Sequence, residues 1–201
     1  MTEPDPAIAR YVGRYIDETA AALHDPFLAD GISRTVSLVR KAREDGHTIF
    51  LFGNGGSAST ASHMAQDLAK LTILEGRKRL RTHSLSDHIP LILAVGNDLS
   101  FAEIYAEQIK SQGRPGDVAL GISGSGNSPN VLRALEEARK LGMTTVGLIG
   151  TGGGKMKALC DVPIIVPSSN MQHIEDLHHI LLHLLASYLR DETGPSAPGP
   201  R

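Results

Sequence analysis

The chain has 201 residues, a formal net charge of −2 at pH 7, 41% hydrophobic residues and 4% aromatic residues. This charge balance excludes a strong electrostatic attraction to nucleic acid or to an anionic membrane. The few aromatic side chains, with no tryptophan among them, also argue against a protein that stacks the bases of single-stranded nucleic acid.

The N-terminal segment carries Glu3 and Asp5 where a secretory signal peptide would have basic residues followed by an apolar stretch. We therefore expect the chain to stay in the cytoplasm, and its single cysteine, Cys160, is consistent with a reducing compartment. Two helices are predicted next, at residues 7–23 and 32–42, because their apolar residues recur with helical spacing.

From residue 48 onward, short apolar runs rich in β-branched residues alternate with helical segments. The helical segments include one that ends near residue 69 and a last one at residues 174–189. Short runs of this kind are typical of strands buried on both faces, as in a parallel sheet. The runs predicted as strands are residues 48–52, 91–95, 118–122, 144–149 and 162–166.

Alternation of strands and helices predicts a three-layer αβα sandwich around a parallel sheet. We expect residues 1–192 to form a single domain with an N-terminal helical extension. Residues 193–201 are rich in glycine and proline and are predicted to be a disordered tail. The apolar faces of the two N-terminal helices indicate an oligomer, since one domain does not cover them.

Two loops follow strands and combine glycine with hydroxyl or amide side chains. The first is Gly53-Asn54-Gly55-Gly56-Ser57, and the second runs from Ser123 to Ser128. Free amides and hydroxyls at the start of a helix can satisfy the oxygens of a phosphate. Capping of ordinary turns is the alternative for one such loop, but two equivalent loops favour a phosphate site. Neither loop has the spacing of a P-loop or a dinucleotide-binding motif, so no nucleotide cofactor is predicted.

The motif Gly53-Asn54-Gly55-Gly56-Ser57-Ala58, followed by His63, closely resembles the opening motif of phosphoheptose isomerases and other sugar isomerase (SIS) domains. Further motifs occur in the order found in this family. They are Val95-Gly96-Asn97-Asp98, Ile122-Ser123-Gly124-Ser125-Gly126-Asn127-Ser128, Gly153-Gly154-Lys155-Met156 and Glu175-Asp176-Leu177-His178 with His183.

The resemblance implies a flavodoxin-like fold with a five-stranded parallel sheet, usually assembled as a homotetramer with active sites between subunits. It implies a phosphorylated sugar as the ligand. Its sugar-phosphate site would be lined by Asn54, Gly55, Gly56 and Ser57, its phosphate held by Ser123, Ser125 and Ser128 beside Gly124, and its sugar hydroxyls contacted by Asn97 and Asp98. In some members four further positions bind one zinc ion per site, and here they are His63, Asp67, Glu175 and His183.

An aldose–ketose isomerase needs a base for a carbon-bound proton and an acid for the sugar oxygens. His63 and Asp67 are four residues apart, and Glu175, His179 and His183 form a second stripe with the same spacing, so each set shares a helix face.

We predict Asp67, Glu175 and His183 as the catalytic group. His178 and His179 cannot both face the cleft, and we interpret them as bystanders. The resemblance places a glutamate at the position of Asp67 and a glutamine at the position of Glu175. Because Asp67 is one methylene shorter, Glu175 is a candidate base where Asp67 does not reach.

The first functional hypothesis is therefore an isomerase of sedoheptulose 7-phosphate, which yields a heptose 7-phosphate. Isomerisation of another ketose phosphate, a hexulose or octulose phosphate, is the nearest alternative. A non-catalytic SIS module that senses a sugar phosphate or docks onto a protein is a third. Histidines in register with two carboxylates favour the enzyme, because a sensor needs the serines alone.

Overall fold

A computed structural model describes residues 5–192. It contains helices and parallel strands in alternation, with short 3₁₀ turns in some of the connections. The helices are α1 (Pro6–Leu23), α2 (Pro26–Asp45), α3 (Gly56–Lys70), α4 (Ile89–Asp98), α5 (Ala106–Gln112), α6 (Pro129–Lys140) and α7 (Met171–Asp191). The strands are β1 (Thr48–Gly53), β2 (Arg81–Ser84), β3 (Val118–Ser123), β4 (Thr144–Ile149) and β5 (Val162–Ile165).

The five strands form one parallel sheet in the order β2-β1-β3-β4-β5. β1 and β3 are buried along their whole length, as expected for central strands covered on both faces. Buried side chains of α2, α3 and α7 pack on one face, and those of α5 and α6 pack on the other. The predicted fold class, a flavodoxin-like αβα sandwich, is confirmed.

One predicted strand is wrong. Residues 91–95 lie inside the helix α4, and the fifth strand is β2, a polar segment with alternating exposed and half-buried residues. Pro90 is compatible with the first turn of a helix, and a short apolar run does not by itself distinguish helix from strand. β2 escaped detection because an edge strand needs no continuous apolar run.

The helix ends follow ordinary capping chemistry. Asp25 accepts a hydrogen bond from the Phe27 amide at 2.8 Å at the start of α2, which ends at Gly46 with φ of 80°. Asn170 accepts one from the Gln172 amide at 3.0 Å, which fixes where α7 begins. α2 is longer than predicted, and α1, α3 and α7 match their predicted positions within a few residues.

α1 contributes no buried residue, and its apolar side chains face outward. Large exposed apolar residues also occur on α4 and α7, including Leu93 at 66% and Leu184 at 50% exposure. In the part of the chain that the structure describes, no helix is long and apolar enough to cross a membrane. The predicted disordered tail, residues 193–201, lies outside the described residues, and the single-domain assignment stays a prediction.

Cys160 gives a chemical test of the packing on β4. Burial raises the pKa of its thiol to about 12, and its Sγ lies 2.6 Å from where a Cβ on Gly147 would be. We expect alkylation of Cys160 by iodoacetamide at pH 8 to be roughly 1,000-fold slower in the folded protein than in urea, because the thiolate reacts. Mass spectrometry of timed samples measures both rates, and equal rates would contradict this packing.

Candidate active site

Two loops meet at the carboxyl ends of β1 and β3, where the strand order of the sheet reverses. This crevice is the usual ligand position in open parallel sheets. Gly53 ends β1 where a Cβ would lie 2.7 Å from the Cβ of Ser57 and 2.8 Å from the carbonyl oxygen of Ile122. Close backbone approach therefore requires glycine at this position. The hydroxyls of Ser86 and Tyr105 both donate to the Gly53 carbonyl.

An amide pair joins the first loop to the helix that follows the second. Asn54 donates through Nδ2 to Oδ1 of Asn130 at 2.9 Å, and Asn130 donates in return at 2.7 Å. Asn130 is buried in the first turn of α6. The reciprocal pair holds the two loops at a fixed separation.

The hydroxyls of the second loop converge on one another. Ser123 Oγ lies 3.0 Å from Ser128 Oγ and 3.4 Å from Ser125 Oγ. Ser123 Oγ also accepts a hydrogen bond from the Gly126 amide at 3.2 Å. Ser128 is the residue that precedes α6, so the group sits at the positive end of a twelve-residue helix. Such an arrangement can bind a phosphate.

A histidine and carboxylate cluster lies between α3 and α7. Asp67 Oδ2 lies 3.4 Å from Nε2 of His63 and 3.7 Å from Nε2 of His183. Asp67 is buried, whereas both histidines are exposed. The carboxylate therefore lies on the protein side of both imidazoles, and the rings remain open to solvent. The structure thus brings three of the predicted residues together.

His179 also belongs to this cluster, contrary to its interpretation as a bystander. Its Nε2 lies 3.0 Å from Nδ1 of His63, and its ring centroid is 4.6 Å from that of His183. Its place on the four-residue stripe with His183 was the signal that would have identified it. Burial, and then the nearby His183 and His63, lower the pKa of His179, which favours a neutral imidazole.

His178 points the other way and is buried in the protein. Burial lowers its pKa to about 4, so the ring is neutral at ordinary pH. The backbone at Ile149 offsets this effect only in part. Its burial agrees with the interpretation that His178 is a bystander.

Glu175 approaches the first loop from the first turns of α7. A Cβ on Gly56 would lie 2.6 Å from Glu175 Oε2, so the carboxylate rests directly on that glycine. Glu175 also lines a cavity of about 510 Å³ that it shares with both histidines of its stripe. The lining residues are Thr19, Gly56, Ser59, Thr60, Glu175, Asp176, His179, Ile180 and His183.

α7 also contacts the second loop, residues 123–128, which we call the serine loop. A Cβ on Gly124 would lie 2.4 Å from Met171 Sδ and 3.6 Å from Ile174 Cγ2. The first turns of α7 therefore touch Gly124 of one loop and Gly56 of the other. The carboxylate of Glu175 therefore lies between the first loop, residues 53–57, and the histidine cluster.

Asn97 and Asp98 lie at the end of a helix and not after a strand. They were predicted to follow a strand, but they form the exposed end of α4, where Asn97 Nδ2 donates to Asp98 Oδ1 at 2.7 Å. The residues at the carboxyl end of β2 are Ser84 and, after it, Asp87, which accepts a hydrogen bond from Ser62 of α3. Ser84 was not predicted at this position because β2 was not recognised.

Comparison with known proteins gives a consistent result. Residues 14–150 match the family model described as SIS domain. The phosphoheptose isomerase of Trichlorobacter lovleyi is 42% identical over 144 residues, which cover 72% of this chain and 73% of that protein. The phosphoheptose isomerase of Paramagnetospirillum magneticum is 39% identical over 178 residues, covering 89% and 90%.

A solved structure agrees with these sequence relatives. The phosphoheptose isomerase of Neisseria gonorrhoeae superimposes with a TM-score of 0.83 at 29% identity. The superposition covers 90% of this chain and 98% of that one. The structural similarity therefore extends beyond residues 14–150, which match the family model, to most of the described residues.

Proposed function

This chain belongs to the SIS domain family, and from that premise we propose that it is a phosphoheptose isomerase that converts sedoheptulose 7-phosphate to a heptose 7-phosphate. The observation that carries the proposal is the position of α7. Its first turns contact both glycine-bearing loops and set Glu175 beside the histidine cluster. A phosphate site and an acid–base group thereby share one crevice.

The serine loop is the proposed phosphate site. Ser123, Ser125 and Ser128 offer hydroxyl donors, and the N-terminal end of α6 adds free backbone amides. Asn54, Gly55, Gly56 and Ser57 are proposed to line the sugar chain on the opposite side. Asn97 and Asp98 are proposed to contact the sugar hydroxyls from the exposed C-terminal end of α4.

Glu175 is proposed as the base of the reaction. It removes the proton from C1 of the ketose, and the electron pair forms the C1–C2 double bond while the C2 carbonyl oxygen takes a proton from His183. The O1 proton of the resulting enediol then passes to the deprotonated His183 while Glu175 returns its proton to C2, so the aldose is formed and both residues regain their starting protonation. Asp67, buried against His63 and His183, is proposed to position both imidazoles.

The residues also fit a divalent metal ion of the kind that the family resemblance implies. Histidine nitrogens and carboxylate oxygens are ligands that zinc accepts, and His63, Asp67 and His183 are already in contact. A bound ion would supply positive charge that polarises a carbonyl oxygen. The family resemblance places zinc at His63, Asp67, Glu175 and His183, an arrangement in which Glu175 would be a ligand instead of the base.

We further propose a homotetramer in the cytoplasm, with the active sites between subunits. The support for assembly is the apolar surface that α1 and α4 leave exposed, including Tyr11 at 58% and Leu93 at 66%. Sedimentation equilibrium of the full chain measures the number of subunits.

The proposed activity is tested by incubating the protein with sedoheptulose 7-phosphate and following the C1 signal of the product by NMR. We expect Ser125→Ala to raise KM about 10-fold to 100-fold, because each hydrogen bond to a charged group contributes about 1.5–3 kcal/mol. Ser37→Ala, at an exposed serine of α2, is the matched control and should leave KM unchanged.

Three results are informative. Turnover that Ser125→Ala impairs supports the isomerase. Binding of the sugar phosphate without turnover would indicate another ketose phosphate or a sensor. No binding of any ketose phosphate would contradict the whole proposal.

A further inference from the structure

We propose that His179 is the third imidazole ligand of a divalent metal site, with His63 and His183, and that Glu175 stays outside this site. The family resemblance assigns no role to the position of His179 and assigns Glu175 to the metal. The inference rests on the proposed function only for its catalytic consequence, since metal binding is measured without substrate.

The three rings are arranged so that their nitrogens converge. One ligand nitrogen from each of His63, His179 and His183 lies within 4.8 Å of the others. The ring centroids are 4.6–5.0 Å apart and the ring planes are inclined by 66–73°, so the rings meet edge to face. Ligand nitrogens around tetrahedral zinc are about 3.3 Å apart, given Zn–N distances of about 2.0–2.1 Å. Small side-chain rotations would bring the set to that spacing.

Each ring also has an oxygen near its other nitrogen. Asp67 Oδ2 lies 3.4 Å from His63 Nε2 and 3.7 Å from His183 Nε2. Thr60 Oγ1 lies 3.5 Å from His179 Nδ1. Metal-binding histidines usually have such a partner on the nitrogen that faces away from the ion. The nitrogens left for the ion are Nδ1 of His63, Nε2 of His179 and Nδ1 of His183.

Glu175 is held elsewhere by its contact with Gly56. A site of three neutral imidazoles leaves the charge of the ion largely uncompensated, and the ion then polarises a substrate oxygen more strongly than it would with two carboxylate ligands. In the metal-bound protein His183 would be a ligand instead of the proton donor to the C2 oxygen, which the ion would polarise, and Glu175 would remain free as a base. The glutamate at this position is thereby explained as a base, with His179 taking its place at the ion.

The test uses the full chain freed of metal and loaded with Co²⁺, without substrate. Proton NMR in water shows each coordinated histidine as a strongly shifted ring N–H signal. We expect three such signals in the unaltered protein and two in His179→Ala. We also expect His179→Ala to weaken Co²⁺ binding at least about 100-fold, whereas His24→Ala, at an exposed histidine of the α1 end, should not change it.

Circular dichroism and thermal melting show whether each variant is folded. The signal count in the unaltered protein needs no variant, so the inference stays testable even if His179→Ala unfolds. Two signals in the unaltered protein would overturn it, since the ion would then be held by two histidines and carboxylates. Failure to bind Co²⁺ would overturn it as well. If the unaltered protein shows three signals but no isomerase activity, the proposed function would be contradicted and the metal site would still be supported.

Discussion

Glu175→Gln is expected to lower kcat about 10²-fold to 10⁴-fold, with a smaller change in KM. The expected loss is the usual contribution of a general base. Glutamine has nearly the same shape and keeps the contact with Gly56, so the change removes the ability to accept a proton and little else. The rate of product formation at saturating sedoheptulose 7-phosphate measures kcat directly.

Glu107→Gln is the matched control, because this half-buried glutamate of α5 pairs with Lys110 and contacts neither loop. It should keep full kcat. Retention of full kcat by Glu175→Gln would instead assign the base to Asp67, and the glutamate would then be equivalent to the glutamine of the family resemblance. The variant therefore separates the two carboxylates that the sequence left as alternatives.

The fold was predictable because buried parallel strands have a strong sequence signal. β1, β3, β4 and β5 are apolar runs closed by glycine or polar residues, and the sheet follows from their alternation with helices. β2 was not predictable in this way, since an edge strand such as Arg81–Ser84 is half exposed and polar. The error at residues 91–95 came from reading length and apolarity without the helix-starting proline.

Part of the geometry of the candidate site also follows from the sequence. Residues that lie on one helix face, such as His63 with Asp67, come together because the four-residue spacing brings them together. Whether His179 belongs to the histidine cluster depends on which side of α7 faces α3. The spacing of His179 and His183 indicated a shared face, but no residue pattern showed that this face, and not the one that carries the buried His178, lies against the histidine of α3.

Backbone hydrogen bonds that no sequence motif describes join the serine loop, residues 123–128, to the segment that follows β4. The carbonyl of Gly126 accepts a hydrogen bond from the Met156 amide at 3.0 Å, and Gly150 donates to the carbonyl of Gly124 at 3.1 Å. The segment after β4 thus supports the serine loop from behind. We therefore expect phosphate affinity to depend also on residues that do not touch the phosphate.

Gly126→Ala is expected to lower the free energy of unfolding by about 2–5 kcal/mol and to raise KM for the ketose phosphate. Gly126 has φ of 64°, where an L-residue is strained, and its Cβ would lie 2.4 Å from the carbonyl oxygen of Gly153. Strain costs about 1–2 kcal/mol and forced displacement of packed backbone about 1–3 kcal/mol. Any shift carries the Gly126 amide away from Ser123 Oγ, which it now holds at 3.2 Å.

Gly142→Ala separates the two causes. Gly142 has φ of 74°, but the nearest atom to its Cβ would be Pro115 Cβ at 3.7 Å, so only the strain applies. We expect this control to lose about 1–2 kcal/mol and to keep its KM. Urea unfolding and substrate titration measure both quantities for each variant. Equal losses in the two variants, with KM unchanged in both, would mean that the serine loop does not depend on the contact with Gly153, and the phosphate site would then be organised by the serines alone.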